Sequence, residues 1–178
     1  MPTNASLQGY YKVLFQYLET YSLLGPIIGS LAWGPQWFYN ELIPSNDPPR
    51  NDLEVNAQMA TWHLVVAYTI MFTLTALAYS TVRDSLAHDL ALQEKFTGVI
   101  IGALAVGDLL HTTATFRTLP LDIRYAPGSW NTTTHGNISF CVLLHLSRIS
   151  WFLGVGRQRY YFGQPASASE TSNQKVKI

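Results

Sequence analysis

Two residues that can move protons, Asp108 and His111, lie within one long apolar stretch, residues 96–116. As a helix rising 1.5 Å per residue, about 20 residues match the roughly 30 Å hydrocarbon core of a bilayer. Residues three apart share one face of a helix, so these two side chains point the same way. Because a charge that faces lipid costs at least about 2.5 kcal/mol, this face must contact protein, water or a substrate.

Four further polar side chains lie in other apolar stretches: Glu19 in residues 10–31, His63 in 59–79, and His145 with Arg148 in 138–155. Their positions along these stretches put the three histidines and Asp108 at a similar depth in the membrane. Glu19 and Arg148 come nearer the middle. We therefore expect Glu19 and Arg148 to pair if their helices are neighbours.

This set of residues suits acid–base chemistry on a hydrophobic substrate. A carboxyl group in an apolar pocket stays protonated more readily, because desolvation disfavours the charged form, and it can act as a general acid. Asp108 or Glu19 could protonate an alkene, epoxide or carbonyl, and His111 or His63 could take a proton back. Arg148 is the expected charge partner, and aromatic rings would stabilise a developing carbocation. The pattern predicts an isomerase or cyclase as the enzyme class.

Two other interpretations use the same residues. In the first, Glu19 pairs with Arg148, and Asp108 with a histidine or with Arg148, only to fix the helices, as in a non-catalytic membrane scaffold or lipid-binding accessory subunit. In the second, three histidines and a carboxylate bind a metal ion. The sequence has no HExxH or His-x-His unit, and the ligands would come from three helices. We therefore predict no metal and no cofactor.

The composition is typical of a membrane protein. The chain has 178 residues, of which 48% are hydrophobic and 12% charged, against about 25% charged residues in soluble proteins. Its 11 basic and 11 acidic residues give a net charge of zero, which argues against a nucleic-acid partner. The expected partners are the lipid bilayer, a hydrophobic small-molecule substrate and other membrane-bound biosynthetic enzymes.

The elements that must position these side chains are four transmembrane helices, at residues 10–31, 59–79, 96–116 and 138–155. We expect an all-α domain over residues 1–162, a polytopic four-helix bundle, and a disordered polar tail over 163–178. Pro26 is expected to kink the first span, and residues 32–58 and 117–136 to form loops. Aromatic residues near the span ends, Tyr79 and Trp151 among them, predict a belt at the membrane interface.

The distribution of Lys and Arg predicts the orientation. One side carries Lys12, Arg83, Lys95, Arg157, Arg159, Lys175 and Lys177, and the other only Arg50, Arg117 and Arg124. Basic residues favour the cytosolic side, so both termini are expected there, with Arg157 and Arg159 near lipid headgroups. The sequons at Asn131 and Asn137 would then be lumenal, where glycosylation in the endoplasmic reticulum is possible, although Asn137 lies too near the membrane to be a good acceptor.

Several motifs resemble a group of small fungal integral-membrane proteins, some of them encoded among secondary-metabolite genes. These motifs are FQYLETYSLLGP with its early glutamate, GDLLHT in the third span, and GN before a fourth span that ends RISWFLGVGR. The resemblance covers most of residues 10–160 and implies a role in the biosynthesis of a lipophilic metabolite of terpenoid or polyketide type. More distantly, the chain is similar to the sterol-isomerase-like membrane domain, in which acidic and histidine side chains move a double bond. That similarity implies architecture and chemistry class only.

Overall fold

The fold is all-helical in the part of the chain that the structure describes. A computed structural model describes residues 6–44 and 48–162, and all regular secondary structure in these two ranges is helix, which confirms the predicted all-α class. The predicted disordered tail from Gly163 onward lies outside the described residues.

Within these ranges we number six helices, α1 to α6, with one 3₁₀ turn, Pro127–Ser129, before the last. Helix α1 consists of four consecutive pieces, Gly9–Tyr11, Lys12–Glu19, Thr20–Ser22 and Leu24–Trp33, and it is followed by α2 at Pro35–Glu41, α3 at Val55–Ser85, α4 at Leu90–Thr118 and α5 at Leu121–Arg124. Helix α6 consists of Thr132–His135, Gly136–Phe140 and Cys141–Phe152. The pieces Lys12–Glu19 and Gly136–Phe140 are π-helical.

Helices α3 and α4 are long and apolar enough to cross a membrane, by length and composition. They have 31 and 29 residues, more than the about 20 that a span needs. Both extend beyond the predicted limits of 59–79 and 96–116, because polar residues such as Asp84 and Glu94 continue the helices past their apolar parts. The Asp89 side chain accepts a 2.9 Å hydrogen bond from the Leu92 backbone N–H and caps α4.

The other two predicted spans lie in α1 and α6, which are built less regularly. Among the described residues only α3 and α4 have the length and apolarity of a span within one continuous helix. Helix α1 is interrupted at Leu23, three residues before Pro26. Proline has no N–H to donate to the carbonyl of Ser22, and the proline ring clashes with that carbonyl. Glu19 and Arg148 further reduce the apolar character of α1 and α6.

The prediction of one loop over residues 32–58 was wrong, because it contains α2 and the start of α3. Gly34, with φ of +84°, turns the chain after α1, and Pro35 begins α2 with a φ suited to a first helical position. Packing then holds α2 in place. The Phe38 ring is almost fully buried, with its centroid 5.8 Å from that of Tyr68 on α3.

The second predicted loop, residues 117–136, is also shorter than expected. Helix α4 continues to Thr118, α5 follows at Leu121–Arg124, and α6 begins at Thr132. The Arg124 guanidinium donates from Nη2 to the carbonyl oxygen of Leu119 at 2.8 Å, which satisfies an acceptor at the end of α4. Helices held by local hydrogen bonds of this kind show no periodic pattern of apolar residues in the sequence, so α5 could not be predicted.

The helices pack around a small apolar core. Helix α4 lies along α6, and α1 packs against α3. The core includes Tyr79 and Trp151, both fully buried. The predicted position of these two rings in an interfacial belt was therefore wrong. Large apolar side chains on the outer faces of α3 and α4 remain exposed, among them Ile70, Leu74, Leu77, Val106 and Leu110.

Candidate functional site: a buried carboxylate–arginine–carboxylate cluster

Arg148 joins two carboxylates in the interior of the bundle. Its Nη2 donates to Glu19 Oε1 at 2.5 Å, and its Nε donates to Asp108 Oδ2 at 2.7 Å. Arg148 is fully buried, and Glu19 and Asp108 are 6% and 9% exposed. These three residues come from α6, α1 and α4, so one guanidinium connects three helices. The expected pairing of Glu19 with Arg148 is present. For Asp108, a histidine and Arg148 were both considered as partners, and the structure shows Arg148.

The π-helical piece Lys12–Glu19 ends at the first carboxylate of this cluster. The hydroxyl of Thr20 donates at 3.1 Å to the carbonyl oxygen of Phe15, five residues earlier. The Phe15 ring is fully buried, and its centroid lies 4.9 Å from the Arg148 guanidinium carbon, within range of a cation–π contact. Irregular turns of this type occur frequently at functional sites.

His145 gives the contact between α4 and α6 a second polar link. Its Nδ1 lies 3.1 Å from the carbonyl oxygen of Ala105. Because a carbonyl only accepts, Nδ1 carries the proton in this hydrogen bond. His145 precedes Arg148 by three residues and Ala105 precedes Asp108 by three, so the bond lies one helical turn from the ion pair. The structure therefore assigns His145 a helix-linking hydrogen bond.

Tyr79 on α3 brings a fourth helix to the cluster. Its side chain is fully buried, and its hydroxyl is near enough to Arg148, Glu19 and Asp108 to interact electrostatically with each of them. This role of Tyr79 was not predicted from the sequence, since a tyrosine at the end of an apolar stretch is typical of a membrane interface. No local signal in the sequence distinguishes the two positions.

The cluster has hydrogen-bonding capacity that the described residues do not use. Glu19 Oε2 and Arg148 Nη1 are buried and have no hydrogen-bond partner in that part of the chain. The Tyr79 hydroxyl lies near Arg148 without the geometry of a full hydrogen bond. A buried polar group without a partner costs about 1–3 kcal/mol, and such groups are rare in native proteins.

The charges of the cluster do not balance when all three groups are ionised. Two carboxylates and one guanidinium carry one net negative charge, and an uncompensated charge in an apolar interior is costly. The cluster becomes neutral when either Glu19 or Asp108 holds one proton. One guanidinium therefore compensates only one of the two carboxylates when both are ionised.

The remaining predicted bases are not part of this cluster. His63 is exposed on α3, and His111 is half-buried on α4 one turn beyond Asp108. Neither forms a hydrogen bond or ion pair with Glu19, Asp108 or Arg148. The alternative of a metal site also finds no support, because no three His, Cys, Asp or Glu side chains in the described residues are grouped so as to hold one ion.

Asn131, one of the two predicted glycosylation sites, caps α6. Its Oδ1 accepts from the backbone N–H of Thr134 at 2.8 Å, and its Nδ2 donates to the carbonyl oxygen of Glu41 at 2.9 Å. The second site, Asn137, is half-buried in the π-helical piece Gly136–Phe140. The structure gives Asn131 a helix-capping role that the sequon alone did not suggest, and glycosylation at both positions stays a prediction.

A second buried ion pair lies where residues 153–162 fold back over α4. The carboxylate of Glu94 accepts from Arg157 Nη2 at 2.9 Å and from the backbone N–H groups of Tyr160, Tyr161 and Phe162. The Arg157 guanidinium carbon also lies 3.9 Å from the centroid of the Trp151 ring. With 4% of its side chain exposed, Arg157 does not reach outward, so its predicted placement near lipid headgroups was wrong.

Over residues 6–44 and 48–162, the fold and the site define an all-helical protein with two helices long and apolar enough to cross a membrane and a buried carboxylate–arginine–carboxylate cluster. The chain belongs to the DUF7704 family, which is described as a domain of unknown function and whose family model matches residues 4–158. The match includes Glu19, Tyr79, Asp108 and Arg148. No curated protein and no solved structure matches the chain.

Proposed function

We propose that this chain is a four-span integral-membrane protein in which the Glu19–Arg148–Asp108 cluster is an acid–base site for a lipophilic substrate. The reaction class that fits is isomerisation or cyclisation started by protonation. The observation that supports it best is the sharing of one buried arginine by two carboxyl groups, because this arrangement favours one protonated and one ionised carboxyl group side by side.

The proposal of four spans is supported by the burial of the charged residues of α1 and α6 inside the bundle. Glu19 and Arg148 pair inside the bundle, so neither helix presents these charges to lipid. Their outer faces carry exposed apolar side chains instead: Val13, Leu18, Ile28 and Leu31 on α1, and Val142, Leu143, Leu146 and Ile149 on α6. Faces of this composition are suited to contact with acyl chains.

The proposed chemistry needs no oxidant and no cofactor. The protonated carboxyl group breaks its O–H bond and forms a C–H bond at one carbon of a substrate double bond, which leaves a cation at the other carbon. Loss of a proton from a carbon next to the cation returns an electron pair to the substrate as a new double bond. The ionised carboxyl group takes this proton, with His111, one turn from Asp108, as a second candidate base. The exposed His63 is outside the proposed site.

The proposed location is the membrane of the endoplasmic reticulum with both termini cytosolic, supported by the distribution of Lys and Arg between the loops. Asn131 and Asn137 would then face the lumen. The proposed role in the biosynthesis of a lipophilic metabolite, together with other membrane-bound enzymes, rests on the resemblance to the fungal proteins.

A second candidate function is that of a non-catalytic membrane scaffold or lipid-binding subunit. It is favoured by one specific observation, which is that the cluster connects α1, α4 and α6. In this case the ion pairs serve only to fix helix positions, and the loss of one partner would change stability but no chemical step.

The test is product profiling in the native host. A strain that lacks the gene is complemented with the wild type, with Asp108→Asn, or with Asp122→Asn as a control at an exposed carboxylate on α5. We expect the deletion and the Asp108→Asn strains to accumulate the same lipophilic precursor, and the control strain to match wild type. Folding of each variant is checked by expression and thermal unfolding in detergent. A folded Asp108→Asn protein that restores the normal products would contradict the acid–base role and favour the scaffold.

A further inference from the structure

Two atoms of the central ion pair are buried and free to bind something else. Glu19 Oε2 and Arg148 Nη1 have no hydrogen-bond partner in residues 6–44 and 48–162. They belong to groups that are already joined through the 2.5 Å bond between Arg148 Nη2 and Glu19 Oε1. Both side chains are more than nine-tenths buried. A small polar group beside this ion pair could therefore satisfy both atoms at once.

The chemistry of the two atoms restricts what that group can be. Arg148 Nη1 can only donate. In the state in which Glu19 is the ionised carboxyl group of the cluster, Glu19 Oε2 can only accept. A hydroxyl group accepts with its lone pairs and donates with its O–H, so it fits both atoms together. Tyr79 lies on the neighbouring helix α3, and its hydroxyl is near Arg148. This hydroxyl can provide a third hydrogen bond to the same group.

Other polar groups fit the cluster less well. A carboxylate or phosphate would add negative charge where two carboxyl groups already share one guanidinium. An ammonium group would face the positive charge of Arg148. A ketone or ether accepts from Arg148 but leaves Glu19 Oε2 without a donor, and a hydrocarbon satisfies neither atom.

We infer that the cluster binds the hydroxyl group of a lipophilic alcohol through Arg148 Nη1, Glu19 Oε2 and the Tyr79 hydroxyl. The part of the ligand next to the hydroxyl is apolar in this inference, because the fully buried Phe15 ring lies beside the cluster, with its centroid 4.9 Å from the Arg148 guanidinium carbon. This inference rests on the proposed function for the membrane setting, and it adds the substrate class. The alcohol is held by its hydroxyl while a double bond elsewhere in the molecule reacts.

The test is to identify what the purified protein carries. Full-length protein is isolated from membranes of its native host in mild detergent, and the bound small molecules are extracted and treated with a silylating reagent, which adds a known mass to each hydroxyl. Mass spectrometry then compares wild type with Glu19→Gln, which replaces the acceptor by an amide N–H donor, and with Tyr79→Phe, which removes one hydroxyl and keeps the ring. Tyr68→Phe, on the same helix, is the matched control.

We expect wild type and Tyr68→Phe to carry the same enriched apolar compound with a silylated hydroxyl. Glu19→Gln should retain at least about tenfold less, since it loses a charge-assisted hydrogen bond, and Tyr79→Phe about threefold to tenfold less. The inference is overturned if wild type carries no enriched hydroxylated compound, which would indicate water beside the ion pair. It is also overturned if both folded variants retain the compound at the wild-type level.

These outcomes are separable from those of the proposed function. A bound alcohol that depends on Glu19, with normal products in the Asp108→Asn strain, would support the binding site and contradict the acid–base reaction. Accumulation of a precursor without a hydroxyl group in the Asp108→Asn strain would support the reaction and contradict the alcohol.

Discussion

At the scale of single residues, Arg148 has two acidic partners on two other helices. The two pairs differ from surface ion pairs, which contribute little to stability, because removal of one member leaves the other charged groups buried. Glu19, Asp108 and Arg148 were predictable from the sequence, because charged residues in apolar stretches are costly unless they are paired or functional. Tyr79 was not predictable, because its role depends only on how α3 packs.

Removal of the arginine alone should therefore destabilise the protein much more than replacement of all three charged residues of the cluster. We expect Arg148→Met to lower the free energy of unfolding by about 3–5 kcal/mol, since two carboxyl groups lose their shared cation. The triple variant Glu19→Gln, Asp108→Asn, Arg148→Met should recover most of this loss. Denaturant unfolding in detergent measures both. Equal destabilisation by the single and triple variants would show that packing of the arginine chain, and not charge, sets the cost.

At the scale of elements, the long apolar stretches were predictable and the short helices were not. Helices α3 and α4 follow from their hydropathy, with ends that differ because polar residues also continue helices. Helix α2 depends on the burial of Phe38 against Tyr68, and α5 on hydrogen bonds from Arg124. Contacts between residues far apart in the sequence, such as Glu94 with residues 160–162, leave no periodic pattern to detect.

The fold-back of residues 153–162 over α4 predicts opposite effects for two glycine substitutions on that helix. A Cβ atom at Gly98 would overlap the Phe162 side chain, whereas nothing lies within 4 Å of one at Gly107. We expect Gly98→Ala to destabilise the protein by about 1–3 kcal/mol and Gly107→Ala to stabilise it by up to about 1 kcal/mol. Thermal unfolding in detergent compares the two variants. An unchanged melting temperature for Gly98→Ala would mean that Phe162 does not pack there.

The cap of α6 gives a second prediction at this scale. Asn131→Ala should cost about 0.5–2 kcal/mol, because the Thr134 N–H loses its acceptor, and Asn131→Asp should cost less because it keeps that acceptor. Thr133→Ala removes the same sequon and leaves the cap intact. Melting temperatures of the three variants separate the two roles. If Thr133→Ala is as destabilising as Asn131→Ala, the stability comes from a glycan and not from the cap.

At the scale of the whole molecule, the number of spans decides which side of the membrane each loop faces. With four spans, the connection between α3 and α4 lies on the same side as the C-terminus. With only α3 and α4 in the membrane, that connection and the C-terminus lie on opposite sides. The sequence could not settle this point, since α1 and α6 combine apolar faces with charged residues and only their packing hides the charges.

Labelling with a membrane-impermeant thiol reagent tests the four-span topology. In a Cys141→Ser background, which removes the single native cysteine, single cysteines are introduced by Asp52→Cys, His88→Cys and Ser129→Cys, all at exposed positions. In sealed vesicles we expect position 88 and a C-terminal tag to be accessible from the cytosolic side, and positions 52 and 129 to be protected. Accessibility of position 88 on the side opposite to the tag would contradict four spans.

In the proposed reaction, a carboxyl proton of the cluster is transferred to the substrate. To test this transfer, the precursor that accumulates in the deletion strain is incubated in D₂O with membranes that contain the protein. The mass of the product is then measured by mass spectrometry. After exchangeable O–D groups are returned to O–H in ordinary water, we predict one carbon-bound deuterium per product molecule with wild type and no product with folded Asp108→Asn. Product formed by wild type without deuterium would contradict the claim, because the reaction would then proceed without proton transfer from an exchangeable acid.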